Sequence, residues 1–188
     1  MNSDVLVSIC CITYNHAPYI RQCLDGFIMQ KTNFKFEILI HDDASTDGTA
    51  DIIREYEAKY PNIFKPIYQT ENQYSKGKNI SATYNWPRAV GKYIAQCEGD
   101  DYWTDPLKLQ KQVDFMEANP EYVLCCHRYK IYNQNDGTWS DDYVKNMFEL
   151  APNGFSFTNK ENLSHWATKT MTLLFRRAAM DKMPTRKI

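Results

Sequence analysis

The stretch GKYIAQCEGDDYWTDP, residues 91–106, decides the fold and indicates where the chemistry lies. Its apolar run, residues 93–97, predicts a buried strand, and the acidic segment EGDD, residues 98–101, follows at once. The three carboxylates of this segment repel one another, and Mg²⁺ or Mn²⁺ relieves such repulsion because both ions prefer carboxylate oxygens. An acidic turn in solvent before a helix is the alternative for two adjacent aspartates.

Strand-like and helix-like segments alternate on both sides of this stretch. Further strands are predicted at residues 5–13, 36–40, 63–68, 122–132 and 168–175. Helices are predicted from Pro18, across residues 50–56, and from Asp105-Pro106 to Asn119-Pro120, with a loop at 69–81 and a helical piece through Trp86. Asp136-Gly137 is typical of a hairpin turn. The alternation predicts a mostly parallel sheet with helices on both faces.

Polar side chains follow three of the predicted strands. They lie at residues 13–15, 42–47 and 98–101. Ligands of open parallel sheets bind beyond the carboxyl ends of the strands. We therefore expect one crevice to receive all three clusters.

Composition excludes several classes of protein. The chain has 188 residues, 43% of them hydrophobic, which suits one domain, residues 1–188. A formal net charge of −1 argues against a nucleic-acid surface, and no apolar run reaches the ~20 residues of a membrane-spanning helix. Six cysteines in or near apolar runs favour reduced thiols and a cytoplasmic protein. No P-loop, GxGxxG or GxSxG motif occurs.

Individual side chains in these clusters have both a functional and a structural interpretation. Tyr14 can stack on a flat base, with Asn15 and Asp43 as hydrogen-bonding partners, or it can be a turn tyrosine. Lys78, in a loop that contains glycine, can neutralise a diphosphate or can be an ordinary solvated charge. Trp103 can form the wall of a sugar pocket or belong to the core.

The combined motifs resemble family 2 of the nucleotide-sugar glycosyltransferases, which have the GT-A fold. The matching segments are VSICCITYN at 7–15, HDDASTDGT at 41–49 and GKYIAQCEGDD at 91–101. The continuation YWTDPLKLQKQVDFME at 102–117 is similar to a subgroup of bacterial surface-polysaccharide enzymes. The resemblance covers about the first 130 residues. It implies inverting transfer of a sugar from a nucleoside diphosphate, UDP above all, to a hydroxyl of a glycan or lipid-linked acceptor.

The resemblance also implies the site residues and the cofactor. The implied donor-binding residues are Thr13, Tyr14, Asn15, Asp42, Asp43, Lys78, Glu98 and Asp100, and the implied ligands of Mn²⁺ or Mg²⁺ are Asp100 and Asp101. Glu98 stands where the family more usually has aspartate. The implied location is the cytoplasm, with at most peripheral association with the inner face of the membrane.

An inverting transfer needs a general base that deprotonates the acceptor hydroxyl. The resemblance places this base after the strand at 168–176, so we expect it to lie beyond residue 188. Asp141, Asp142, Glu161 and His165 are substitutes that no motif supports. Residues 1–130 are then expected to be the donor half, and residues 131–188 the start of a truncated acceptor half.

Two other functions remain open at this point. One is a nucleotide-sugar-binding module without catalysis. The other is a phosphoacceptor signalling domain, which also has a parallel sheet, strand-end aspartates and Mg²⁺. That class needs its acidic pair after the first strand, whereas the first predicted strand here ends in Thr-Tyr-Asn.

Overall fold

The computed structural model describes residues 5–141, 154–158, 160–161 and 168–182. The strands are β1 (Val5–Thr13), β2 (Lys35–Asp42), β3 (Phe64–Tyr68), β4 (Tyr93–Glu98), β5 (Leu124–Cys125), β6 (Lys130–Asn133), β7 (Thr138–Asp141) and β8 (Leu174–Arg176). The α-helices are α1 (Ala17–Ile28), α2 (Thr49–Lys59) and α3 (Lys108–Ala118). Asp142 and His165, two of the considered bases, lie outside the described residues.

The central sheet has the strand order β3-β2-β1-β4-β8-β5. The first four of these strands are parallel to one another, and β8 runs antiparallel to both β4 and β5. A phosphoacceptor domain of the flavodoxin-like class would have the order 2-1-3-4-5, so this topology excludes that function. The α/β architecture with a mostly parallel sheet is confirmed.

Register brings the predicted polar clusters to one edge of the sheet. Thr13 at the end of β1 is opposite Asp42 of β2, and Ile12 is opposite Glu98 of β4. Because these three strands are parallel, their carboxyl ends open onto the same space. The sequence-based prediction of one shared crevice is thus met by the geometry.

β1 is apolar along almost its whole length because alternate residues of the strand are buried on opposite faces of the sheet. Ile9 and Cys11 face a core formed with the helices, whereas Cys10 packs with Leu39 and Phe175 on the other face. Trp86 and Ala89, from the segment between β3 and β4, help to cover that second face. All six cysteines are free thiols, four of them buried, as expected.

A buried carboxylate joins three strands of the sheet. Glu37 of β2 is 1% exposed, and its Oε1 accepts hydrogen bonds from Ser8 Oγ at 2.6 Å and from Val90 N–H at 3.0 Å. Lys65 Nζ on β3 donates to Oε2 at 2.5 Å. Hydrogen bonds to all of these groups offset the cost of burying the charge.

Two predicted strands were too long. The strand expected at 122–132 is divided into β5 and β6 by residues 126–129, where His127 turns its Nδ1 to 2.6 Å from the carbonyl oxygen of Arg128. The strand expected at 168–175 is a 3₁₀ turn, Thr170–Thr172, followed by β8. Local hydrogen bonds to backbone groups replace the sheet ladder in both cases. The β6–β7 hairpin at Asp136-Gly137 is confirmed.

The third helix begins two residues later than predicted, at Lys108 instead of Pro106. Asp105 Oδ1 accepts a hydrogen bond from Leu107 N–H at 2.9 Å, which forms a turn that postpones the helix to Lys108. Leu107 and Phe115 are 41% and 43% exposed although both side chains are apolar. Lys108 and Gln112 are buried in addition to Leu109, Val113 and Met116.

The segment at 69–81 is less irregular than the predicted loop. It contains a 3₁₀ turn, Tyr74–Lys76, and buries Gln73. Within the described ranges of the chain, no helix is long and apolar enough to cross a membrane.

Candidate functional site

A pocket of about 260 Å³ opens at the carboxyl ends of the parallel strands. We call it the strand-end pocket, and its lining residues are Ile12, Thr13, Tyr14, His16, Asp43, Asn72, Tyr74, Ile80, Glu98 and Asp100. Five predicted donor-binding residues are in this lining, namely Thr13, Tyr14, Asp43, Glu98 and Asp100. Asn15, Asp42, Lys78 and Asp101 are not.

Close packing at the base of the strand-end pocket requires a glycine. A Cβ on Gly99 would lie 2.6 Å from Thr13 Oγ1 and 2.9 Å from His16 Nδ1. Both of those atoms are buried and make no hydrogen bond within the described part of the chain. They are polar groups at the pocket wall that a ligand can satisfy.

Substitution of Gly99 with alanine is therefore expected to reduce nucleotide affinity by roughly 10-fold or more, because the methyl group must displace Thr13 or His16. Isothermal titration with UDP and Mn²⁺ measures the effect. Gly137→Ala is the control, since its φ of 71° strains an alanine in the β6–β7 turn without touching the pocket. Equal UDP affinity in Gly99→Ala and wild type would contradict the prediction.

Asn15 organises the neighbouring loop from a left-handed conformation with a φ of 54°. Its Oδ1 accepts a hydrogen bond from Thr46 N–H at 2.8 Å, and its own N–H donates to Ser45 Oγ at 2.9 Å. Asn15 thus holds the segment after β2 against the end of β1. In the structure it supports the strand-end pocket from outside the lining.

The two aspartates after β2 differ in their surroundings. Asp43 accepts backbone N–H bonds from Gln73 at 2.8 Å and Tyr74 at 2.9 Å, so it fixes the segment that closes one side of the pocket. Asp42 Oδ1 is buried with no hydrogen-bond partner in the described residues, and burial raises the pKa of this carboxyl. Asp42 is therefore held close to the pocket but not in its lining.

Lys78 does not reach the pocket lining. Its Nζ lies 3.1 Å from Tyr84 Oη, and that phenol in turn donates to Gln73 Oε1 at 3.1 Å. The Tyr84 ring stacks on His41 with centroids 4.6 Å apart. Lys78 thus contacts Tyr84, which is hydrogen-bonded to Gln73, and it lies outside the pocket lining.

Electrostatic repulsion is concentrated in the acidic segment. Burial raises the pKa of Asp101 to about 6, and the carboxylates of Asp100 and Glu98 add to the shift. Burial and then Asp100 raise the pKa of Glu98, although the Thr170 hydroxyl and His16 oppose them. Across the described residues, no lysine or arginine forms an ion pair with these carboxylates.

The negative charges of Glu98, Asp100 and Asp101 are not neutralised by any lysine or arginine of the described residues, and such a carboxylate group suits a divalent cation. The nearest basic group is His16, whose Nε2 is 3.8 Å from Asp100 Oδ2. The described ranges contain no cluster of three or more His, Cys, Asp or Glu side chains arranged around a metal position. The acidic segment can therefore supply one or two carboxylate ligands, and a bound ion would need its others from substrate and water.

A second, larger cavity of about 1010 Å³ shares Asp100 with the strand-end pocket. We call it the large cavity, and it extends from Asp101 past Trp103 and α3 to the β6–β7 hairpin. Trp103 is 4% exposed, packs on Phe27 and donates its indole N–H to Met171 O at 2.8 Å. Trp103 is thus both a core residue and part of a cavity wall.

Sequence patterns missed three polar side chains in the wall of the large cavity, Lys108, Gln112 and His127. Lys108 is 4% exposed, and its Nζ lies 3.8 Å from the centroid of the Trp103 ring. Burial lowers the pKa of Lys108 to about 7. The available signal was the i,i+4 spacing of Lys108 and Gln112 beside the buried positions Leu109, Val113 and Met116.

Replacing Lys108 with methionine is expected to stabilise the protein by about 1–4 kcal/mol at neutral pH, because an apolar group of similar length replaces a buried cation. The native pKa lies below that of the unfolded chain, so wild-type stability rises with pH between about 7 and 10.5. The gap between variant and wild type should shrink over that range. The facing titratable groups are Cys97, Cys125 and His127.

Chemical denaturation at several pH values measures this difference. Lys111→Met is the control, since Lys111 is exposed and ion-paired with Asp105 at 2.7 Å. A loss of stability in Lys108→Met would contradict the expected cost of the buried ammonium.

Comparison with known proteins agrees with this geometry. Residues 8–183 match the sequence profile of glycosyl transferase family 2. An uncharacterised protein of Mycobacterium bovis is 45% identical over 139 residues, which is 73% of this chain and 38% of that protein. TuaG of Bacillus subtilis, named as a candidate teichuronic acid biosynthesis glycosyltransferase, is 32% identical over 76% of this chain and 54% of its own length.

Solved structures share the fold. The Pyrobaculum calidifontis mannosyltransferase PcManGT, solved with GDP-Man and Mn²⁺, has a TM-score of 0.67 and 20% identity over 97% of this chain and 48% of its own. Staphylococcus aureus TarS, residues 1–349 with UDP-GlcNAc, has a TM-score of 0.69 and 22% identity over 95% and 47%. The chain spans about half or less of the length of each of these four proteins.

Proposed function

The chain belongs to glycosyl transferase family 2, and on that premise we propose that it transfers a sugar with inversion from a nucleoside diphosphate, UDP by preference, to an acceptor hydroxyl. One observation carries the proposal. The strand-end pocket joins an exposed tyrosine, polar atoms that have no hydrogen-bond partner and carboxylates that have no lysine or arginine counter-ion among the described residues, at the carboxyl edge of a parallel sheet. That edge is where open α/β sheets bind nucleotides.

Donor recognition would use the wall formed by β1 and the segment after β2. Tyr14 is 45% exposed and offers its ring to a base, and the hydroxyl of Thr13 is buried without a partner in the described chain. Asp43 keeps acceptor capacity beyond its two backbone hydrogen bonds, which suits the N–H edge of uracil. Asn15 and Asp42 would act by holding this wall in place.

A divalent cation at the acidic segment would be held by Asp101 and Asp100, with Glu98 adding negative charge. When bound, the ion stabilises the charge that develops on a leaving diphosphate. The protein's own contribution is to keep the carboxylates uncompensated and partly buried, where they attract a cation strongly. Both Mn²⁺ and Mg²⁺ suit this oxygen-ligand site.

The acceptor would approach through the large cavity, which meets the strand-end pocket at Asp100. A glycan or lipid-linked acceptor then reaches the face of the sugar away from the diphosphate, as an inverting displacement requires. Asp141 lies at the end of β7 in the lining, and Glu161 accepts hydrogen bonds from Thr158. Neither is assigned as the general base.

Isothermal titration of this chain with UDP, GDP and CDP, each with and without Mn²⁺, tests the donor assignment. We expect Mn²⁺-dependent binding, tightest for UDP. Transfer is then assayed with the matching nucleotide sugar. Absence of metal-dependent binding for all three nucleotides would contradict the proposal, and tighter binding of GDP would correct the choice of base.

A further inference from the structure

The wall of the large cavity contains three buried polar atoms without hydrogen-bond partners among the described residues, Lys108 Nζ, Gln112 Oε1 and His127 Nε2. We propose that they form a subsite for an anionic sugar group of the acceptor, either a sugar carboxylate or a sugar phosphate. This inference rests on the proposed glycosyl transfer, because it assigns the large cavity to the acceptor.

Among the described residues, the Lys108 ammonium at this subsite has no carboxylate counter-ion. Lys108 Nζ lies over Trp103, and the titratable groups beside it are the thiols of Cys97 and Cys125 and the imidazole of His127. Burial raises the pKa of Cys97, and it raises the pKa of Cys125 to about 12, so both thiols are neutral. A buried lysine without a carboxylate costs stability that an arriving anion would restore.

The other two atoms are hydrogen-bond acceptors. Gln112 Nε2 donates to Thr172 O at 2.9 Å, which fixes the amide with Oε1 as the remaining acceptor. His127 Nδ1 faces the carbonyl of Arg128 at 2.6 Å, so Nδ1 carries the proton and Nε2 is an acceptor. Burial lowers the pKa of His127 to about 4, which keeps the ring neutral.

One cationic donor and two neutral acceptors select a particular kind of ligand. An inorganic anion without hydroxyl groups, such as sulfate, would satisfy Lys108 alone, because Gln112 and His127 need partners that donate a proton. A sugar that carries a carboxylate or phosphate has both the anion and the hydroxyl donors. The subsite therefore matches an acidic sugar better than a neutral sugar or a free anion.

An aromatic pair extends this match at the β6–β7 hairpin. Tyr132 and Trp139 also line the large cavity, are 43% and 52% exposed, and have ring centroids 4.7 Å apart. Aromatic faces carry partial negative charge and attract the C–H groups of a sugar ring. When the acidic sugar of an acceptor binds Lys108, a neighbouring sugar of the same acceptor can stack on the rings of Tyr132 and Trp139.

The test titrates the chain, saturated with UDP and diamagnetic Mg²⁺, with glucuronate, glucose 1-phosphate, glucose and inorganic sulfate. Wild type, Lys108→Met and Lys111→Met are compared by NMR line shifts. We expect one or both acidic sugars to bind at least ~10-fold tighter than glucose or inorganic sulfate. Lys108→Met should lose that preference and Lys111→Met, already paired with Asp105, should keep it.

The two acidic probes show which anionic group the subsite binds. A preference for glucuronate indicates a sugar carboxylate, and a preference for glucose 1-phosphate indicates a sugar phosphate. Equal binding of glucose and both acidic sugars overturns the inference, as does an acidic preference that survives in Lys108→Met. If that variant does not fold, the Trp103 indole signal of wild type decides, because it must shift with an acidic sugar and not with glucose. Loss of UDP binding alone would instead count against the proposed function.

Discussion

Asp101→Asn is expected to reduce the Mn²⁺-dependent affinity for UDP by roughly 100-fold or more, which corresponds to about 2.7 kcal/mol. The carboxylate removed is half-buried; burial first, and then the charges of Asp100 and Glu98, raise its pKa to about 6. Such a group would favour a divalent cation, because no lysine or arginine of the described residues is paired with it. Isothermal titration with UDP at fixed Mn²⁺ measures the loss.

The same substitution should leave the free energy of unfolding unchanged or slightly higher, because it relieves repulsion within the acidic segment. A drop in affinity therefore cannot be attributed to unfolding. Asp105→Asn is the matched control, since Asp105 borders the large cavity and its charge is already neutralised by Lys111. Equal losses in both variants, or no loss in Asp101→Asn, would remove Asp101 from the metal site.

Sequence patterns were sufficient for the parallel strands β1 to β4 and for the edge at which their polar clusters lie. The β-branched and cysteine run of β1 and the polar residues at each strand end have a physical meaning that does not depend on distant contacts. The alignment of Thr13 with Asp42, and of Ile12 with Glu98, follows once the strands are parallel neighbours. The position of the crevice therefore follows from the sequence.

The placement of individual side chains depends on long-range contacts that sequence patterns do not reveal. Asn15 is typical of a turn, but only the loop after β2 shows that it binds Thr46 and Ser45 rather than lining the pocket. Lys108 belongs to a class of residue that is usually exposed, and its burial depends on Trp103 and β5. Such placements depend on residues far away in the chain, which periodicity does not report.

Glu37→Gln is expected to destabilise the protein by about 2–3 kcal/mol at neutral pH. The amide oxygen can still accept from Ser8 and Val90, but the amide nitrogen would face the Lys65 ammonium, donor against donor. Lys65 is about half-exposed and can turn into water, which limits the loss. Urea denaturation of wild type and variant gives the difference.

The difference in the free energy of unfolding between wild type and Glu37→Gln should become smaller at acid pH. Burial opposes the charge of Glu37, but hydrogen bonds from Lys65, Ser8 and Val90 outweigh it and hold the pKa below its usual 4.5. The native state then binds fewer protons than the unfolded chain, so this stabilisation is complete above about pH 4.5 and is lost as the pH falls through the native pKa. The gap to Glu37→Gln, which does not titrate, should close below that pH.

An exposed ion pair provides the comparison that isolates burial as the cause. Glu55 is 58% exposed and pairs with Arg21 at 2.7 Å, so Glu55→Gln should change stability by less than about 1 kcal/mol. Its pH profile should follow that of wild type. If Glu37→Gln and Glu55→Gln cost the same, the network around Glu37 would not connect β1, β2 and β3 energetically. The close register that brings Thr13, Asp42 and Glu98 to one edge would then depend on apolar packing alone.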